Sequence, residues 1–407
     1  MREETQIRPT TQGDVAGILD LLGTVFHEDY PEEVRDWETG VLELDRSLVA
    51  DDAGQVVGHI DAYTRDLTVP GAVVPAAHVS GAGVVPTHRR RGLLNRMMRR
   101  QLTEIADAGR EPIAVLWASE TSIYPRYGYG PASSRLAFTI MNREVRLTVP
   151  PAEPAGRLRM AEPTGLLADL TKVYEQLRPD RPGWSSRDDR WWRYVLTDLE
   201  AHRDGATKRY AVVHDGPDGP TGYALWRVKN GWNSHGPDCE VQVREVVATD
   251  PETYQALWRF LLGIDLCRSV TFRLGAVDEP LRYLVDEPRR LGPTVLDALW
   301  VRLVNVPAAL AARRYAAPVD VVLDVTDPIL ERNTGRWRLT GGPDGAVCVP
   351  TTDPADVTCS VTDLGAVYLG GTPLSALVAS GRVRLLTGND PTVAFGWHRR
   401  PSSTEVF

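Results

Sequence analysis

Apolar residues recur at Val15, Ile18, Leu21, Leu22 and Phe26, behind the polar opening Thr11-Gln12-Gly13-Asp14. That spacing predicts an amphipathic helix from Val15 to Phe26 with Asp14 near its start. Phe26, Glu28 and Trp37 then stand in a short polar region. Two strand-like runs, Ser47–Ala50 and Val56–Tyr63, flank Asp51-Asp52-Ala53-Gly54, which is a hairpin signal. Next comes a run of small and apolar residues from Val79 to Val85, stopped by Pro86. It leads through Thr87-His88-Arg89-Arg90-Arg91-Gly92 into Leu93, Leu94, Met97, Met98, Leu102 and Ile105, again at helical spacing. Ile113–Trp117 reads as a buried strand, and Ala137–Ile140 as a further strand of the same unit. Three prolines between Val149 and Gly156 suit an extended linker, so residues 1–150 form a first unit.

The pattern then repeats. Strand-like runs at Tyr210–His214, Gly222–Trp226 and Val241–Val247 lead into a helix from Pro251 to Ile264 and a strand at Val270–Arg273. The pair Trp191 and Trp192 is expected in the core of this second unit, residues 151–294. From residue 295 the pattern changes to short strands at Val319–Val325, Arg336–Leu339, Ala346–Val349 and Val357–Ser360, followed by helical segments at Asp363–Leu369 and Pro373–Ala379. Residues 295–407 therefore form a third unit. Helix, antiparallel strands and a strand–helix–strand passage together predict an α/β protein with mixed, α+β-type sheets.

A length of 407 residues supports two or three domains, and 43% hydrophobic with 25% charged residues is ordinary for a globular protein. No apolar run approaches membrane-spanning length, and no signal-peptide core follows Met1. Cys239, Cys267, Cys348 and Cys359 lack metal-site spacing, so no metal site is expected and reduced thiols in a cytoplasmic protein are the default. The formal charge of −8 argues against a nucleic-acid partner and favours cationic ones.

The basic turn changes the picture most. A strand that turns through glycine into a helix leaves backbone N–H groups facing outward, with the helix dipole behind them. Beside arginines they suit a phosphate. A Walker loop is absent, and Gly81-Ala82-Gly83 lacks the third glycine of a dinucleotide fingerprint. What remains is Arg89-x-x-Gly92-x-Leu94 after a strand, followed by Ile123-Tyr124-Pro125-Arg126-Tyr127-Gly128-Tyr129-Gly130. Turn and loop together resemble the GNAT acetyltransferases, and within them the enhanced-intracellular-survival branch. Leu94 departs from the small residue usual in that turn.

The resemblance implies tandem GNAT-like units followed by a sterol-carrier-like domain, and acetyl transfer from acetyl-CoA to the amines of polycationic substrates such as aminoglycosides or lysine side chains. It implies that Arg89, Arg90, Gly92 and Leu93 anchor the pyrophosphate, and that Ala82, Gly83, Val84 and Ser119 contact the rest of the cofactor. Tyr124 is implied as the acid that protonates the leaving thiolate. The main-chain carboxylate of Phe407 is implied as the base. Phe26, Glu28 and Trp37 are implied as substrate-pocket residues. The family commonly forms hexamers. Gly81 replaces a bulky residue common there, which points to a roomier pocket. His27, His59 and His88 are bases by residue type alone. Glu405 lies one place from the family's terminal acidic residue. In the second unit the equivalent turn reads Ala248-Thr249-Asp250-Pro251-Glu252, whose carboxylates would repel a pyrophosphate, so one CoA site is expected. A different class of reading is a binding protein, in which the third unit carries an apolar ligand and the first senses CoA.

Overall fold

The computed structural model describes residues 5–150 and 156–407, so part of the expected linker, residues 151–155, lies outside the described residues. The first stretch supplies strands β1 (Gln6–Pro9), β2 (Leu48–Asp52), β3 (Gln55–Val69), β4 (Ala72–Val84), β5 (Ile113–Trp117) and β6 (Gly130–Pro131), with helices α1 (Val15–Phe26), α2 (Glu32–Thr39) and α3 (Leu93–Ala108). Next come strands β7 (Ser134–Met141), β8 (Arg157–Ala161), β9 (Tyr210–Gly216) and β10 (Gly219–Lys229). A small hairpin, β11 (Trp232–Asn233) and β12 (Gly236–Pro237), precedes β13 (Cys239–Ala248), β14 (Cys267–Ala276) and β15 (Thr294–Asp297). Helices α4 (Leu167–Leu177), α5 (Asp189–Leu196), α6 (Pro251–Leu262) and α7 (Leu281–Leu284) belong to this stretch. The last part holds β16 (Leu299–Leu303), α8 (Val306–Ala312), β17 (Val319–Thr326), β18 (Gly335–Gly342), β19 (Gly345–Pro350), β20 (Val357–Ser360), α9 (Val361–Val367), α10 (Leu374–Ala379) and β21 (Arg384–Leu385).

Local chemistry accounts for the elements around the site. In the β2–β3 hairpin Ala53 and Gly54 both take left-handed φ, 53° and 86°, as a tight primed turn requires. Asp51 fixes it by accepting the Gly54 N–H at 2.7 Å. Helix α1 buries Val15, Ile18, Leu19, Leu21 and Leu22, and α3 buries Leu93, Met97, Met98, Leu102 and Ile105. Each is the apolar stripe of a helix lying on a sheet.

Three larger sheets result, in strand orders β1-β2-β3-β4-β5-β16-β6, β15-β7-β14-β13-β10-β9-β8 and β19-β18-β17-β20-β21. Two strands do not stay with their neighbours in sequence. Ala137–Ile140, expected in the first unit, lies in β7 and pairs antiparallel with β14 in the second sheet. Conversely β16, from the third unit, pairs with β5 in the first. Every residue of β16 is buried, so it closes the far edge of β5 with ladder hydrogen bonds and mostly apolar side chains, its one charged residue, Arg302, being paired with buried Asp327. The units are interlocked rather than strung on a line.

Candidate active site

Strand β4 pairs in parallel with β5 only at Ala76, Ala77 and His78, opposite Ile113, Ala114 and Val115. Beyond His78 it runs on to Val84 with β3 alone, while β5 continues against β16. The two parallel strands therefore part, and the main chain of Val79–Val84 faces a cleft. A bulge marks the same place, where the β3 register slips between His59 and Asp61. Gly81 sits in the bulge at φ 58°, and its carbonyl is 3.0 Å from His59 Nδ1. Ala82 and Val84 pack on a cluster that also holds Leu93, Ala118 and Tyr124, and Gly83 is buried.

The cleft opens onto the basic turn. Pro86–His88 form a single tight turn, Arg90 is left-handed at φ 63°, and Gly92 starts α3 at φ 78°. No side chain caps that helix start, and a Cβ built at Gly92 meets nothing within 4 Å, so the approach is open. Two braces hold the loop: Arg91 donates to the Thr87 carbonyl at 2.9 Å, and His88 lies 2.8 Å from Asp52. Arg89 is solvated, 3.7 Å from Glu120. Free N–H groups, a helix dipole and solvated cations fit a pyrophosphate. Leu93 is buried in the α3 core, so its contribution to such an anion is confined to backbone. In the second sheet the matching helix α6 is capped by its own acid: Asp250 accepts the Thr253 N–H at 2.7 Å. A cavity of about 450 Å³ lies there, with Asp250 and Glu279 on its wall.

Tyr124 begins a short turn, Tyr124–Tyr127, after β5. Its side chain is buried, edge-on to Tyr129 at 6.3 Å, and burial raises its pKa, with the neighbouring, exposed Ser119 opposing part of that rise. Tyr127 and Tyr129 are more deeply buried, at 1% and 0% exposure.

A cavity of about 390 Å³ brings the remaining expected residues together: Phe26, Glu28, Trp37 and Phe407 all line it. Trp37 stacks on Tyr194 at 4.0 Å and donates to its carbonyl at 2.9 Å. The sequence reading missed Glu38, Asp61, Tyr63 and Tyr194 on the same walls, and missed α2, which carries Trp37 and Glu38. Burial pushes the carboxyls of Glu38 and Asp61 up to about 7. The one available signal is Asp61, an acid inside the strand-like run Val56–Tyr63.

Phe407 is seated rather than frayed. Its ring lies 4.7 Å from that of His78, the residue at which the strands part. Behind it Glu405 is buried between Arg65 and Arg187, with Arg187 Nε at 2.8 Å. Arg187 also pairs with Glu245 at 3.0 Å and donates to Thr404 at 2.9 Å. Burial alone would raise the Glu405 carboxyl, but the two guanidinium groups hold it at about 2. Glu405 thus fastens the tail and does not line the cavity of Phe407. None of the three histidines singled out from sequence lines that cavity either. His59 is buried between Ser47 and the Gly81 carbonyl and driven down to about 4, His88 is tied to Asp52, and His27 ends α1 in the left-handed region. Among the described residues no cluster of three or more metal-ligating side chains occurs, and no helix is long and apolar enough to cross a membrane.

Comparison with known proteins agrees with this geometry. Residues 6–132 and 183–303 each match a family described as an acetyltransferase (GNAT) domain, and residues 306–401 match a sterol carrier protein domain. An uncharacterized N-acetyltransferase of Streptomyces avermitilis is 46% identical, over 94% of both chains. N-acetyltransferase Eis of Mycobacterium tuberculosis is 36% identical, over 92% of both. The crystal structure of Eis1 from Mycobacterium abscessus superposes with a TM-score of 0.84 at 34% identity, covering 99% of this chain and 100% of that one. A GCN5-related N-acetyltransferase from Anabaena variabilis shares the fold, with a TM-score of 0.86 at 20% identity.

Proposed function

The chain belongs to the Eis-type N-acetyltransferases of the GNAT superfamily, and on that premise we propose that it acetylates amines of compact polycations, aminoglycosides or lysine side chains among them. The observation that carries the reading is the cavity beside the β4–β5 cleft. Glu28, Glu38 and Asp61 line it among the aromatic rings of Phe26, Tyr30, Trp37, Tyr63 and Tyr194, with His202 beside them, and among the described residues no Lys or Arg does. Carboxylates and aromatic faces without a competing cation select ammonium groups.

GNAT enzymes use acetyl-CoA, which when bound supplies an acetyl group activated as a thioester. The proposed anchor is the backbone of Arg89, Arg90, Gly92 and Leu93, with main-chain groups of Ala82, Gly83 and Val84 along the cleft and Ser119 at its far wall. A strand N–H there polarises the acetyl carbonyl. The main-chain carboxylate of Phe407 takes the proton of the substrate ammonium, freeing the nitrogen lone pair to attack the carbonyl carbon. As the carbon–sulfur bond breaks, the Tyr124 hydroxyl gives its proton to the thiolate. The chain reads as a cytoplasmic enzyme and, by its family, as a hexamer, which light scattering of the purified protein checks.

The competing reading is an apolar-ligand protein that only senses CoA. A screen of amines for thiol release from acetyl-CoA, run beside a fluorescence titration with a fatty ligand, separates the two. Amine-dependent thiol release is expected. Saturable fatty-ligand binding with no thiol release from any amine would overturn the proposal.

A further inference from the structure

The acetyl-transfer reading accounts for the turn, the tyrosine and the tail, and leaves two arginines near the substrate cavity without a task. Arg244 lies on β13, where the register against β10 slips. Leu225 faces Glu245 and Trp226 faces Val243, so Arg244 is the extra residue of a bulge, a device that re-aims a side chain. It lines a second, smaller cavity of about 140 Å³, and Arg209, just ahead of β9, lines it too. Trp37, Tyr194, His202 and Val406 line both this cavity and the one that holds Phe407. The charges in the smaller cavity are not balanced. Its two acids are already engaged: Glu405 by Arg65 and Arg187, and Asp198 by the Arg203 side chain at 3.1 Å and the Arg209 main-chain N–H at 2.7 Å. Glu245, next to Arg244 in sequence, is held by Arg187 at 3.0 Å and by the Tyr223 hydroxyl. Arg209 gives one nitrogen to the Val195 carbonyl at 2.6 Å. Arg244 makes no hydrogen bond and no ion pair among the described residues, and it is only partly buried, so its nitrogens can be reached.

We propose that Arg209 and Arg244 form a binding site for a small oxyanion, a free phosphate or carboxylate, separate from the CoA turn and from the ammonium cavity. Two guanidinium forks present paired N–H donors to the oxygens of one ion. The cavity holds roughly four to five times the volume share of one water in the liquid, which suits such an ion and excludes a nucleotide or an aminoglycoside. The electrostatics agree. Burial and the nearby Arg244 lower the pKa of Arg209 to about 10, and burial lowers that of Arg244 although Glu245 and Glu405 oppose it. An anion between the two guanidinium groups offsets that penalty.

The test uses the full-length protein with saturating CoA, which fills the basic turn and leaves this cavity to titrate. Calorimetry with inorganic phosphate, and separately with acetate, is run at constant ionic strength on the wild type and on Arg244→Met, which keeps an apolar stem and removes the charge. At least one of the two ions should bind the wild type saturably, one per chain, and the tighter of them names the occupant. Its affinity should fall at least tenfold in Arg244→Met. In buffer free of both ions the variant should melt no lower than the wild type, since the substitution breaks no bond. Arg244→Gln is read in the same way should the Met variant not fold. Equal affinity in wild type and variant, or no saturable binding of either ion, would overturn the assignment. So would a lower melting midpoint of the variant in ion-free buffer, because the guanidinium would then be a structural brace. If CoA does not bind, the CoA reading fails by itself, and the difference between wild type and variant still decides this one.

Discussion

Tyr124 differs from Tyr127 and Tyr129 in position more than in chemistry. All three are buried and all three pKa values are raised by burial, so titration does not select among them. Tyr124 is the one whose hydroxyl feels Ser119, just past the end of β5, and it shares a cluster with Ala82 of the parted strand. Tyr124→Phe removes only the donor, so kcat should fall about 10²-fold with KM little moved, while Tyr127→Phe keeps activity. Steady-state kinetics on both variants decides between the rings. Asp61 gives a second residue-scale prediction, in stability. Its carboxyl goes from an ordinary value of 3.8 to about 7 in the fold, so ionisation weakens the empty protein. The sign follows from linkage: the folded state binds the proton more tightly, so the protonated group's stability is full below about pH 4 and lost as pH rises through 7. Asp61→Asn should thus raise the thermal midpoint at pH 8, by up to a few kcal/mol of stability, and leave it little changed at pH 4.

Among the elements, those with a strong local pattern are legible in the amino-acid sequence. Helix α1 and strand β5 have the expected ends, and α3 begins at the expected Leu93. Helix α2 is not legible, because Glu32–Thr39 buries only Val34 and shows no apolar stripe. Its stability comes from tertiary contact, including the Trp37–Tyr194 stack, which no local window contains. Glu38 is hidden with it. The start of α3 is legible as chemistry, and Leu94, the departure from the usual turn, packs partly buried on the first sheet's core. The turn yields a prediction of its own. Gly92 is left-handed with open space around it, so Gly92→Asp both strains the backbone and puts a negative charge where the pyrophosphate is proposed to sit. Acetyl-CoA affinity by calorimetry should fall at least tenfold, about 1.4 kcal/mol. Unchanged affinity would move the CoA site elsewhere.

At the scale of the whole molecule the sequence order misleads, because β7 and β16 cross between units. Pairing partners far apart in sequence leave no periodic trace, so the crossing is not readable from hydrophobic pattern. The repeat itself is: β4–α3–β5 and β13–α6–β14 are the same parallel unit, and only the second has an acid capping its helix. Titration with acetyl-CoA should therefore give one site per chain, and two equivalent sites would contradict the account of Asp250. The interlocking also explains how Phe407 reaches the first sheet. Arg65 of β3 and Arg187 of the second unit grip Glu405 and set Phe407 against His78, so residues of all three units, Phe26, Tyr194 and Phe407 among them, line one cavity. That convergence is the central claim, and a short Gly-Ser extension after Phe407 tests it most directly. The extension keeps every side chain and leaves the turn at Arg89–Gly92 untouched, but carries the terminal carboxylate away. Acetyl-CoA binding should be retained while amine acetylation falls about 10²-fold or more. An extended protein that acetylates amines at the normal rate would show that Phe407 only packs, and that the proton leaves by another route.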